Sequence, residues 1–305
     1  MIEKLRSNKQ FGTASNYDLS LKSLKNYLNY KETRKQSSLS FYTVTADWLQ
    51  GYENYMTETL ERSTTTVSIY IRTLRTIFNA AIAQRDIDSE LYPFGKGKYQ
   101  PPSSIKVKKA LSNSQLKVLF EAIPQTDEQE LAKDFWFLSF GCNGMNMKDI
   151  LLLRNSNIDD EIISFIREKT KRTNKTATKA IIVYRNKIIS DIIEKYRNKD
   201  KSPKALLFPF LNSNDNEEIQ RKQVQNFTKK VNQHIKKLAV NNGLPEGIST
   251  YWARHSFTTK GVHEGASTEF MSEALGHQDP ATTKGYIDSF PSEVKKEFSS
   301  KIFEF

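Results

Sequence analysis

Apolar residues recur at helical intervals through most of the chain, and only one short region reads as strands. Residues 15–29 place Tyr17, Leu19, Leu21, Leu24 and Leu28 at mostly helical spacing. Residues 44–59 follow, with Thr45 as N-cap and Trp48, Leu49, Tyr52 and Tyr55 as the apolar stripe. A long amphipathic segment runs from Thr64 to Gln84; Val67, Tyr70, Ile71, Leu74, Ile77, Phe78 and Ala81 form its apolar side, and it carries Arg72 and Arg75. Periodicity then stops. Tyr92-Pro93-Phe94-Gly95 to Pro101-Pro102-Ser103-Ser104 concentrates Pro, Gly and Ser and reads as a linker. It ends in the basic run Lys106, Lys108 and Lys109, which puts a domain boundary near residue 107.

The second part opens with Ser112-Asn113-Ser114-Gln115, a start signal for a helix over 113–123. Further helices are expected over 127–141 (Leu131, Phe135, Leu138, Phe140), 146–153, 186–197, 221–241, 252–262, 268–275, 280–286 and 291–302. Ile162, Ile163, Phe165 and Ile166, and then Ala180 to Val183, read as two strands. The expected fold class is mainly α with a small β-sheet: a helical domain over residues 1–107 and a mixed α/β domain over 108–305.

A chain of 305 residues suits about two domains. Apolar runs such as Ile150 to Leu153 fall far short of the roughly 20 residues that span a bilayer. No apolar signal core follows the first basic residues, so neither membrane insertion nor export is expected. The single cysteine, Cys142, excludes an intramolecular disulfide, and His234, His255, His263 and His277 are too scattered for a metal site. A cytoplasmic location fits. The net charge of +11, with both parts basic, points to an anionic partner, nucleic acid or membrane surface. An excess on both parts suits phosphate contacts along the whole length.

Three local patterns carry the chemistry: Arg167-Glu168-Lys169-Thr170-Lys171 at a strand end, Tyr251-Trp252-Ala253-Arg254-His255-Ser256-Phe257, and Leu275-Gly276-His277 followed by Thr282, Thr283 and Tyr286. Each alone has an ordinary structural explanation. Together, in this order, the sequence resembles the tyrosine recombinase (phage integrase) family, with the nearest likeness to integrases of conjugative and mobilisable transposons. The likeness is most specific at LGHQDPATTKGY, where the histidine precedes the tyrosine by nine residues, and at ARHSF.

The resemblance implies a helical, SAM-like core-binding domain and a catalytic domain that cuts and rejoins DNA strands through a Holliday junction. Tyr286 would be the nucleophile, forming a 3′-phosphotyrosine that stores the bond energy, so that no cofactor and no metal is needed. Arg254, a planar fork that matches two phosphate oxygens, corresponds to the family's second arginine. Lys169 corresponds to the hairpin lysine that acts as general acid. His277 corresponds to the residue that hydrogen-bonds the scissile phosphate. The implied partners are double-stranded DNA at attachment sites, three further copies of the chain in a tetramer on DNA (a monomer alone), and accessory DNA-bending proteins.

Two positions depart from the family pattern. Asn146 stands where the first arginine is usual, although Asp149 keeps the acidic residue that follows. The expected replacement is Arg167, placed on the same strand face as Lys169 and about 7 Å from it. Tyr251 stands where the family has histidine, and a phenol with pKa near 10 is a poor base at neutral pH. It would hydrogen-bond the phosphate or hold Tyr286, which leaves the phosphate, His277 or His255 to take the Tyr286 proton.

Basic residues gather at the hairpin: Arg167, Lys169, Lys171, Arg172, Lys175, Lys179, Arg185 and Lys187. Lys171, Arg172, Lys175 and Lys179, with Arg72, Arg75, Lys106 and Lys108, are the expected DNA contacts, the bland reading being solvated faces. Val294, Phe298, Ile302 and Phe305 make an apolar stripe that either caps its own domain or docks on a neighbouring subunit. Two rival functions stay open: a DNA-binding relative that no longer cleaves, and a type IB topoisomerase-like nicking-closing enzyme.

Overall fold

In the computed structural model, residues 1–31, 38–103, 109–169, 171, 179–277 and 280–286 are described. The chain divides into two compact units, Met1–Val107 and Lys108–Phe305.

The first unit is built from α1 (Ile2–Ser7), α2 (Phe11–Lys31), α3 (Ala46–Asn54), a π-helical turn (Tyr55–Thr59) and α4 (Thr64–Ala83). Thr45 and Ser63 cap α3 and α4 by accepting the backbone N–H groups of Trp48 and Thr66. An aromatic core joins them: Tyr27 meets Trp48 edge-on at 4.9 Å, and Phe78 meets Phe41 at 4.9 Å and Phe94 at 5.8 Å. Such pairs each add about 0.5–1.5 kcal/mol beyond their area burial.

Two expectations are corrected here. Leu19 and Leu21 of α2 point outward, and Ala14, Tyr17, Leu24, Tyr27 and Leu28 form the buried stripe. Leu19 projects from the side opposite that stripe, whereas Leu21, seven residues after Ala14, lies along it and is left uncovered. The segment read as a linker from residue 92 is instead packed as far as Tyr99. Phe94 and Tyr99 are buried and bridged to each other, and Tyr99 donates to Glu53 Oε2 at 2.5 Å. Gly95 and Gly97 supply the positive φ values, 129° and 76°, that bring the two rings back onto the core. The Pro and Gly residues therefore mark a turn folded on the domain.

In the second unit, α5 (Asn113–Glu121) opens with a capping box between Ser112 and Gln115. The central helix α6 (Asp127–Gly141) buries Phe135, Trp136 and Leu138, and it runs along α9 (Glu217–Asn241), which buries Val231, Ile235 and Leu238. Phe135 sits among Tyr196, Phe208, Phe210 and Phe227, each with ring centroids 5.0–5.4 Å away. Between α7 (Met147–Leu151) and α8 (Lys187–Tyr196) lie β1 (Ile162–Phe165) and β2 (Ile181–Tyr184), antiparallel with Ile163 opposite Val183. Ile163, Phe165, Ile181 and Val183 face inward while Ile182 and Tyr184 are exposed, the period of two that a half-buried sheet demands. The remaining described helices are α10 (Thr250–His263), α11 (Thr268–Ala274) and α12 (Pro280–Lys284). Among the described residues, no helix is long and apolar enough to cross a membrane. The expected helix over 291–302 lies outside the described residues.

Candidate active site

The site is built where α10, the turn after α6, the end of the hairpin and the α11–α12 connection meet. α10 starts after Ser249, with Thr250 N–H donating to Asn232 Oδ1 at 2.7 Å. Spacings of three and four residues put Tyr251, Arg254 and His255 on one side of this helix.

Arg254 is only 3% exposed. Its Nη1 donates to the Gly144 carbonyl at 2.9 Å. Its Nη2 donates to the Leu275 carbonyl at 2.7 Å and meets His277 Nε2 at 2.9 Å. Burial, and then the charge of Arg167, lowers the Arg254 pKa to about 10, so it stays charged at neutral pH. The Gly144 carbonyl is aimed by a left-handed turn after α6, with Asn143 at φ 54° and Gly144 at φ 65°. A Cβ at position 144 would lie 2.8 Å from Arg254 Cα. Gly144→Ala should therefore destabilise the domain by about 1–3 kcal/mol and displace Arg254. A urea midpoint lowered relative to wild type checks this.

Arg167 reaches the same place from the other side. Its Nη1 donates to the Leu275 carbonyl at 3.3 Å and to the Gly276 carbonyl at 3.4 Å. The two guanidinium groups thus converge on one carbonyl at the C-terminal end of α11, where unpaired carbonyls favour cations. Gly276, at φ 63°, lets the chain turn there, and a Cβ would lie 2.3 Å from Ile181 Cδ1. Beside Arg167, Asp149 is buried and accepts Glu168 N–H at 3.0 Å. Burial pushes its carboxyl up, opposed by that hydrogen bond, by the Arg167 charge and by the Asn146 side chain.

The strand-face expectation for Arg167 and Lys169 is corrected. β1 ends at Phe165, and residues 167–171 close a turn through Lys171 N–H to the Arg167 carbonyl at 3.0 Å. Arg167 is buried and Lys169 exposed, so a turn and not a common strand face brings both to the site. Lys169 is still near enough to His277 for its charge to depress that imidazole.

Tyr286 lies in the turn after α12, two residues past the helix end at Lys284, whereas the sequence pattern places it at the end of a helix over 280–286. Its backbone N–H donates to the Thr283 carbonyl at 2.9 Å, and its carbonyl accepts from Thr259 Oγ1 at 3.3 Å. His255 Nδ1 stands 3.3 Å from the same carbonyl and must be protonated to bond it. The Tyr286 ring is 4.6 Å from the His255 ring, 5.2 Å from the His277 ring and 5.5 Å from the Arg254 guanidinium carbon. Tyr251 Oη donates to Tyr286 Oη at 2.8 Å. Burial first, then its neighbour Tyr286, raises the Tyr251 pKa, which suits a donor and not a base. Lys109 Nζ lies 5.4 Å from the centre of the Tyr251 ring.

His277 Nδ1 is 2.9 Å from Thr283 Oγ1. Burial, then the charges of Arg254, Arg167 and Lys169, lowers its pKa to about 4. The unfolded chain accordingly takes up a proton near pH 6.5 that the folded chain refuses down to about 4, so stability falls as pH drops through that window. A ring titration followed by NMR should show a His277 midpoint well below that of an exposed histidine.

The other expected DNA contacts are scattered. Arg72 and Arg75 are exposed on α4, Arg72 bonded to Ser68 Oγ at 2.8 Å and Arg75 to Tyr92 Oη at 3.0 Å. Lys171 pairs with Glu168 at 3.3 Å, and Lys179 is exposed beside β2. Lys106, Lys108, Arg172 and Lys175 lie outside the described residues. Sequence reasoning missed the Gly144 and Leu275 carbonyls that hold the arginines, because a backbone acceptor leaves no residue-type signal.

The chain is similar to known proteins. The model of the phage integrase SAM-like domain matches residues 1–100, and that of the phage integrase family matches residues 109–293. The tyrosine recombinase XerD of Rickettsia bellii (strain RML369-C) is 26% identical over 283 residues, covering 90% of this chain and 88% of that protein. Among solved structures, the Tn1549 transposon integrase in complex with a circular intermediate DNA is similar at TM-score 0.64 and 14% identity, covering 98% of this chain and 97% of that one. The XerH site-specific recombinase in a post-cleavage complex with palindromic difH is similar at TM-score 0.67 and 17% identity, covering 96% and 80%. The two likenesses show the fold, and the family models, which together match nearly the whole length, show that the chain belongs to the phage integrase family of tyrosine recombinases.

Proposed function

We propose that this chain is a site-specific DNA recombinase that moves a mobile element, with Tyr286 as its nucleophile. What supports this reading most is the Tyr286 hydroxyl, 2.8 Å from Tyr251 Oη, on a ring flanked by Arg254 and His277. In the reaction, Tyr286 Oη attacks the scissile phosphorus and gives up its proton to the phosphate, His277 or His255, the P–O5′ bond breaks, and Lys169 gives a proton to the departing 5′ oxygen. Arg254 and Arg167 hold the non-bridging oxygens, where negative charge accumulates. Arg167 takes the place of the absent first arginine. Rejoining runs the same steps backwards with a 5′ hydroxyl from the partner strand. Residues 1–107 grip the duplex through Arg72 and Arg75, while Lys169, Lys171 and Lys179 contact it from the hairpin. Four copies assemble on two sites from monomers, aided by DNA-bending proteins.

Tyr251 donates to the oxygen that becomes phenolate, so Tyr251→Phe should slow cleavage by about 10–100-fold, the worth of one hydrogen bond to a charged group. A single-turnover assay on nicked site DNA checks this. The function itself is tested by incubating the protein with two copies of a site from its host element. Joined recombinants together with SDS-resistant adducts are the expected result. Relaxation of supercoils without joining would favour the topoisomerase-like reading, and binding without adducts the non-cleaving one.

A further inference from the structure

Thr283 is fully buried and belongs to both halves of the site at once. Its side-chain oxygen meets His277 Nδ1 at 2.9 Å, and its backbone carbonyl accepts the Tyr286 N–H at 2.9 Å.

The direction of the His277 bond follows from its other nitrogen. Nε2 lies 2.9 Å from Arg254 Nη2, and a guanidinium only donates. Nε2 must therefore be the bare, accepting nitrogen, because a proton there would set donor against donor. A neutral imidazole with Nε2 bare carries its proton on Nδ1, which then donates to Thr283 Oγ1. The hydroxyl is the acceptor this tautomer requires in a buried place. Without it, Nδ1–H would be left unsatisfied in a buried place.

We infer that Thr283 is a positioning residue that fixes His277 as the Nδ1–H tautomer and ties its ring to the backbone of Tyr286. His277 then presents a lone pair at Nε2, occupied by Arg254 until a phosphate draws that guanidinium away. The free site thus holds His277 as an acceptor towards the reaction centre, with Arg254 as the group that covers it. The assignment of the proton stands on the geometry alone. Its consequence for catalysis rests on the recombinase reading above.

The test uses the full chain with 15N-labelled histidine, the His277 signals being assigned by their loss in His277→Asn. Wild type should show a ring N–H at Nδ1 that is protected from exchange. Thr283→Ser should keep it, and Thr283→Val, equal in size but without the hydroxyl, should lose the protection. Adduct formation on nicked site DNA should fall about 10–100-fold in Thr283→Val and return to within about threefold of wild type in Thr283→Ser, as for other partners that orient a functional histidine. A wild-type His277 protonated at Nε2 would overturn the inference. So would a Thr283→Val protein that keeps the protected Nδ1–H, whether or not it still cleaves, since any loss would then be structural. If wild type binds DNA but forms no adduct, the nucleophile reading fails, and the NMR result alone decides the role of Thr283.

Discussion

Tyr286→Phe is expected to abolish covalent capture of DNA while leaving the fold and site binding nearly intact. The phenyl ring keeps the contacts of the phenol: His255 at 4.6 Å, His277 at 5.2 Å and the Arg254 guanidinium at 5.5 Å. What disappears is the hydroxyl, and with it the hydrogen bond from Tyr251. An exposed hydrogen bond of that kind is worth at most about 0.5–1.5 kcal/mol, too little to unfold the domain. Loss of the nucleophile has no such limit, because no neighbouring group is placed to form the same bond at a useful rate. Adducts on nicked DNA should drop below detection while the mobility shift with intact site DNA is unchanged. Against this, Tyr251→Phe should only slow the reaction. If both variants abolished adducts equally, the division between nucleophile and hydrogen-bond donor would be wrong.

Arg167→Gln carries the second largest expected effect. Arg254 and Arg167 converge on the Leu275 carbonyl, so a phosphate bound by one meets the other as well. Removing one such donor from a desolvated site costs about 10²–10³ in rate. Asn146 does not make up the loss, because an amide brings no positive charge to the phosphate. Arg167→Lys should recover little, since an ammonium cannot span two oxygens as the planar fork does. The alternative is that Arg167 merely holds the 275–276 turn. In that event the loss of rate would follow a loss of stability, and His277 would be displaced with the turn. Urea denaturation of the same variants separates the two: the phosphate role predicts a rate loss several times larger, in free energy, than the stability loss.

Much of this was legible in the sequence, for identifiable reasons. Helices such as α4 and α6 carry long amphipathic or apolar patterns with capping residues, and the capping box at Ser112 and Gln115 fixes the start of α5. The strand pair followed from its short runs of β-branched and aromatic residues. Tyr286, Arg254 and His277 were singled out by resemblance to the recombinase family, and the structure brings these three side chains together. What escaped was set by tertiary contact. Phe94 and Tyr99 sit among prolines and glycines that suggest a linker, and only their ring contacts reveal the packed turn. Arg167 and Lys169 looked like strand neighbours, yet the bond from Glu168 N–H to Asp149 turns the chain and buries one while exposing the other. The carbonyls of Gly144 and Leu275 belong to the backbone and leave no trace in residue type.

The most direct test is to locate the nucleotide. The adduct trapped on nicked site DNA can be digested with nuclease and protease and its peptides sequenced by mass spectrometry. Tyr251 and Tyr286 lie in well-separated peptides although their hydroxyls are 2.8 Å apart, so the attachment is unambiguous. A 3′-phosphonucleotide on Tyr286 is the predicted result. A nucleotide on Tyr251, or on any other residue, would contradict the account.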